Sequence, residues 1–291
     1  METDTASRAE GPEAGPWHEE LAGFVRAASG GLLFGVPLLY TMEVWWTGRH
    51  TDPEQMLLVL GLLCLPVLAL NKTTGFRQTR DVRLRDAVVD TVEALAVGVV
   101  VTTIVLILLR EITFDTSLRP GLGTVVYEAV PFCLGVGVAR HFLHGGRTDP
   151  DDDAEEHGPD RLHPTLADLG ATVVGAVFVS LNIAPTDEVP MLAAAMQPQW
   201  LLAMVAMSLV SSYAIVFAAG FTSQDTRHEQ EGPFQRPVTE TVVSYLVSLV
   251  VAGLLLWLFQ RGVSPADDFL ARVVVLGFPA AIGGAAGRLA V

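Results

Sequence analysis

Carboxylates stand in this chain where a bilayer should discourage them. Glu43 follows a long apolar run, Glu128 lies within another, and Asp187 and Glu188 close a third beside Asn182 and Thr186. A charged side chain near the centre of a membrane helix costs about 2.5–3.5 kcal/mol on insertion scales, so such a residue usually has a partner or a task. Carboxylate, amide and hydroxyl oxygens together make a ligand set for a hard cation, and a buried carboxylate alone can carry a proton. Pro185 and Pro190 flank Asp187 and Glu188, each removing a backbone donor and freeing carbonyl oxygens nearby. Glu43, Asp187 and Glu188, with Asn182, Thr186 and Glu128, are therefore the candidate ion-binding layer toward one side of the membrane. The bland alternative leaves Glu43 and Glu188 solvated among lipid headgroups.

A second acidic layer follows from spacing. Asp86, Asp90 and Glu93 are four and three residues apart, which puts them on one face of a helix. Glu240 stands in the place of Asp90 further along the chain, while Arg236 and Val243 stand in those of Asp86 and Glu93. Arg140 and Arg288 are at a depth to pair with Asp90 and Glu240, giving two structural ion pairs between helices. Glu93 is deeper and lacks such a counterpart; burial would raise its pKa and suit it to relaying protons.

The elements that must hold these residues are apolar. Hydrophobic residues make up 51% of the 291, and mean hydropathy is +0.44. That composition belongs to integral membrane proteins. A hydrocarbon core of roughly 30 Å needs about 20 helical residues. Eight stretches approach that length, near 27–46, 54–71, 86–109, 121–143, 166–185, 199–222, 238–260 and 268–289. In the first, Glu43 falls just before Trp45 and Trp46, which read as an interfacial belt. The predicted fold class is all-α, a polytopic integral membrane protein of eight transmembrane helices.

The chain also says nearly the same thing twice. PFCLGVGVAR from Pro131 and PAAIGGAAGR from Pro279 align Gly135 with Gly283 and Arg140 with Arg288. Glu43-Val44 matches Glu188-Val189, Gly75-Phe76 matches Gly220-Phe221, and Asp90-Thr91-Val92 matches Glu240-Thr241-Val242, in the same order. Four spans per copy would make the repeats parallel, related by an axis along the membrane normal. Leu276 takes the place of Glu128, so the copies differ there. The expected division is an acidic disordered tail (1–19), a first four-helix repeat (20–144), an acidic linker (145–164) and a second four-helix repeat (165–291).

Charge gives an expected orientation. With both termini cytosolic, 13 of the 18 basic residues fall inside, led by Lys72, Arg77, Arg80, Arg83 and Arg85. The net charge of −14 sits mostly in tails and loops, with seven acids between Asp149 and Asp160. That run lacks the glycine and terminal glutamate of an EF-hand and reads as a solvated linker. An acidic exterior argues against nucleic acid. Cys64 and Cys133 fall in apolar stretches, so no disulfide is expected.

His141 and His144 alone make weak metal ligands, and the Gly283/Gly287 spacing suits close helix packing. Hydrolase, nucleotide-binding and metalloprotease motifs are missing from the sequence, so an enzyme is not expected and no cofactor is implied.

The strings GGLLFGVPLLYTMEVW (30–45), NIAPTDEVPM (182–191), GPFQRPVTET (232–241) and IGGAAGR (282–288) resemble a bacterial family of integral membrane proteins catalogued as a domain of unknown function. The resemblance covers nearly everything from about residue 20 and implies a membrane fold. It transfers no catalytic residues.

The residues themselves point to cation transport across the cytoplasmic membrane, as a channel or a cation/proton carrier. Glu43, Asp187 and Glu188, helped by Asn182 and Thr186, would bind the ion from outside, and Asp90, Glu93 and Glu240 would line the inner end or relay protons. The alternative is a scaffold or sensor whose acids are paired or solvated. Expected partners are the lipid bilayer and an inorganic cation or proton; which cation, and the oligomeric state, stay open.

Overall fold

A computed structural model describes residues 16–73, 84–142, 164–219, 236–261 and 265–289. All its regular elements among these are helical. In chain order they are α1 (Pro16–Leu39), α2 (Met42–His50), α3 (Pro53–Thr73), α4 (Leu84–Leu108), α5 (Leu118–Phe142), α6 (Pro164–Ser180), α7 (Glu188–Ala195), α8 (Pro198–Tyr213), α9 (Pro237–Leu258) and α10 (Ala266–Leu289). A π-helical turn, Ala214–Ala218, continues α8.

Among the described residues, six helices are long and apolar enough to cross a membrane: Glu20–Leu39, Ala87–Leu108, Leu118–Ala139, Pro198–Ala218, Pro237–Leu258 and Ala266–Leu289. Pro53–Ala69 and Asp168–Ser180 are shorter apolar helices. Their outward faces are rich in large apolar side chains, including Leu57, Leu62, Ile104, Phe178, Val210 and Leu254. Such a surface is costly in water and ordinary against lipid. The chain is a multi-pass, all-helical integral membrane protein.

Two of the predicted stretches end early. The run 27–46 is predominantly apolar, yet the helix stops at Leu39 and restarts at Met42, with Thr41 extended at φ −127°. Pro37 has already removed one donor from the last turn. The orphaned carbonyl of Leu39 is taken by the Trp45 indole N–H at 2.9 Å. Trp45 is therefore buried in this corner, and only Trp46 has the exposure of an interfacial residue. The stretch 166–185 likewise ends at Ser180, and Pro190 falls in the first turn of α7, where its missing N–H needs no intrahelical partner.

α5 and α10 are the central posts. α5 packs against α1, α2, α3 and α4, and α10 packs against α6, α7, α8 and α9. Glycine lets the closest pairs meet: a Cβ on Gly135 would overlap the carbonyl oxygen of Gly30, and one on Gly283 would overlap that of Gly175. α4 and α9 end alike, with Arg110 (φ 65°) and Gln260 (φ 59°) in the left-handed region. In each case the next N–H reaches back, Glu111 to Leu106 at 3.0 Å and Arg261 to Leu256 at 2.7 Å, closing a Schellman-type cap. The two groups meet where α1 lies against the π turn and α10, and where α4 touches α8. Arg26, just outside the predicted stretch 27–46, is inside the first span, and its Nε donates to the carbonyl of Ala219 after the π turn at 2.6 Å.

Candidate functional site

The corner between α1 and α2 leaves the first N–H groups of α2 without intrahelical partners, and Thr41 gives no side-chain cap. Glu188, first residue of α7 and buried, supplies one: its Oε1 accepts the Met42 N–H at 3.3 Å. A carboxylate at a helix N-terminus is favoured by the unpaired amides and the helix dipole. The Tyr40 hydroxyl donates to the Val275 carbonyl at 2.9 Å, a second bridge between the halves.

The remaining members of the predicted layer are not gathered around Glu188. Glu43 is exposed on α2. Asp187 is exposed and pairs with Arg261 Nη1 at 2.6 Å. Arg261 Nη2 also donates to the Pro185 carbonyl at 2.6 Å, so the oxygen expected to be free for a cation is occupied. Thr186 turns its hydroxyl back to the Ile183 carbonyl at 2.7 Å. Asn182 is exposed and lines an open pocket of about 570 Å³ whose other walls, Leu33, Phe34, Pro37, Phe178, Val179, Ala286 and Leu289, are apolar. Among the described residues no three His, Cys, Asp or Glu side chains are grouped as a metal site.

Glu128 is different. It is 1% exposed in the middle of α5, and its Oε1 has no hydrogen-bond partner among the described residues. One turn to either side, Thr124 lies under Gly48 of α2, and Phe132 lies against Gly31 and Gly35 of α1. Helical spacing therefore puts Glu128 on the stripe of α5 that faces α1 and α2. The connection after α4 brings Glu111 to α2 at Arg49, next to the Gly48 that packs on Thr124. Glu111 is mostly buried, with its side chain 11% exposed, and forms an ion pair with Arg49 of α2. Arg49 Nη2 also reaches the Glu111 carbonyl at 3.4 Å. Burial pushes the Glu111 carboxyl above its ordinary pKa, and the Arg49 guanidinium offsets part of that rise.

At the opposite end, Asp90 and Glu93 are exposed on α4, on the same outward face as Val89 and Val92. Glu93 is thus not the buried acid the spacing implied, and the burial argument for proton relay does not hold there. The side chains of Asp86 and Arg140 lie outside the described residues, as do the 149–160 linker and His144. Arg288 is fully buried, forms an ion pair with Glu240, donates to the Ser244 hydroxyl at 3.2 Å and lies 5.5 Å from the Phe217 ring.

Three groups of this region escape a reading of the sequence. Glu111 and Arg49 look like ordinary loop charges because their pairing spans 62 positions. Arg261 enters only the charge count. Ser208, Ser211 and Ser212 on α8 and Thr241, Ser244, Tyr245 and Ser248 on α9 form buried hydroxyl faces. The three-to-four residue spacing of the α9 group was a legible sign of a shared face.

Helices, apolar exterior and buried charge define a polytopic membrane protein. The chain belongs to the family described as "Putative integral membrane protein (DUF2391)", which matches residues 23–291. No curated protein and no solved structure matches it.

Proposed function

We propose that this protein moves a cation, or exchanges a cation for protons, across the membrane, using carboxylates held between its helices. The observation that carries this reading is Glu128, a carboxylate 1% exposed in a membrane span, with one oxygen lacking any partner among the described residues. An acid kept at that cost is a functional residue by default. Glu188, buried where the two halves meet, is the second member of the site. Glu43, Asp187, Asn182 and Thr186 belong to the same end of the molecule as Glu188 and would meet an ion before it, while Glu240, paired with Arg288, stands at the other end.

The architecture in this reading is eight membrane crossings in two parallel repeats, with the shorter α3 and α6 crossing as well. Support comes from the shared order, in which the second helix of each half is the shortest (α2 and α7) and three further helices follow it, from the paired glycine contacts, and from the matching left-handed caps at Arg110 and Gln260. Both termini would then be cytosolic, at the end rich in Lys and Arg. Repeat boundaries of 20–144 and 165–291 follow from the same pairing.

A second reading, a non-transporting scaffold or sensor, is favoured by the ion pairs Asp187–Arg261 and Glu240–Arg288, which give two of the candidate acids a structural role. Flux separates the two. In liposomes carrying purified protein and a pH-sensitive dye, Glu188→Gln keeps an oxygen for the Met42 N–H and removes only the charge. The transport reading expects loss of flux with normal insertion; unchanged flux would remove Glu188 from the path.

A further inference from the structure

We propose that Glu128 is a proton site rather than a metal-cation site, and that Glu111, held by Arg49, is the group through which it exchanges protons with the α2/α7 side of the protein. This inference rests on the transport reading and names the ion for its central carboxylate. A desolvated metal cation needs several oxygen ligands around it. On its stripe of α5 Glu128 stands between Thr124, whose hydroxyl donates to the Pro120 carbonyl at 3.0 Å, and Phe132, which packs on Gly31 and Gly35 of α1, and no group of three metal-ligating side chains occurs among the described residues. A lone carboxyl in such surroundings can bind a proton and little else.

Access comes from one direction. The described charged groups on elements packed against α5 are Glu20 and Arg26 on α1, Glu43, Arg49 and His50 on α2, Glu54 on α3, and Arg85, Asp90 and Glu93 on α4, with Asp52, Arg110, Glu111 and Asp115 in the adjoining connections. Asp52 is paired with Arg119 of α5 itself, and both are exposed. Of all these, Glu111 is the one tied to Arg49, whose neighbour Gly48 packs on Thr124, one turn from Glu128 on α5. It is also the one that is nearly buried while belonging to a connection at the membrane edge. Arg49, 40% exposed, holds it from the solvent side. The step is a plain proton transfer: the proton leaves water for a Glu111 carboxylate oxygen, weakening the Arg49 pair, and passes from there to Glu128, restoring the pair.

Infrared difference spectroscopy of the full-length protein in liposomes tests this without requiring net transport. At neutral pH the wild type should show a carboxylic-acid carbonyl band that is absent in Glu128→Gln and shifted in Glu128→Asp. On transfer to heavy water that band should exchange in the wild type and slow by about a hundredfold in Glu111→Gln, the lower range for a positioned proton-transfer group. A band that survives Glu128→Gln unchanged, the lack of any such band, or equal exchange rates in wild type and Glu111→Gln would overturn the inference. If Glu128→Gln fails to insert, Glu128→Asp decides the assignment by its shift. Cation flux measured in the same liposomes tests the transport reading separately, so loss of one leaves the other readable.

Discussion

Glu128 dominates at the residue scale, because stability and function should pull on it in opposite directions. A buried polar atom left without a partner costs about 1–3 kcal/mol. Glu128→Leu, the residue found at the matching position Leu276, should therefore raise unfolding stability in detergent by about 1–3 kcal/mol while abolishing flux. Equal or lower stability would mean that a further contact satisfies Glu128. Glu111 carries a pH signature. Its folded pKa is raised by burial, so the folded state holds the proton more tightly than the unfolded state. Stability then falls as pH rises from the ordinary carboxylate value through the raised one, and the loss is complete above it. Thermal midpoints across that window should decline in the wild type, and this component should vanish in Glu111→Gln. Glu128 was legible from residue type and apolar context alone. Glu111 and Arg49 were not, since each is an unremarkable charge until folding brings them together.

Elements are held by contacts that tolerate little change. A Cβ on Gly175 would overlap the Gly283 carbonyl oxygen, whereas one on Gly170, on the same helix, meets nothing within 4 Å. Gly175→Ala should destabilise by about 1–3 kcal/mol through forced separation of α6 and α10. Gly170→Ala should be neutral or stabilising by up to about 1 kcal/mol, and a thermal scan of both variants checks the contrast. Arg288 and Glu240 join α10 to α9. Breaking a buried ion pair from one side typically costs about 3–5 kcal/mol, so Arg288→Met should lose that much, with recovery when Glu240→Gln is added. No recovery in that double-mutant cycle would mean that the pair does not bind the helices together. The corner at Tyr40 and Thr41 shows why element boundaries were harder to read than element types. Hydropathy runs unbroken through it, and the break is stabilised by Trp45, by Tyr40 on Val275 and by Glu188 on Met42, the last two more than a hundred positions away in sequence.

At the scale of the whole molecule, composition was enough for the membrane class, because an apolar stretch near 20 residues matches the thickness of a bilayer and exceeds what a small soluble core can cover. The fate of the polar segment 182–190 was not legible in the same way. Its oxygens suggested a cation site, but Arg261 reaches both Asp187 and the Pro185 carbonyl. The burial that matters falls instead on Glu188 and Glu128. Transport through these two carboxylates is the central claim, and its most direct test is ion flux into liposomes, comparing wild type with Glu128→Gln at matched protein insertion. Cation- or proton-driven flux should appear in the wild type and disappear in the variant. Flux that persists undiminished in Glu128→Gln, or no flux in the wild type for any cation under a pH gradient or an imposed voltage, would contradict it.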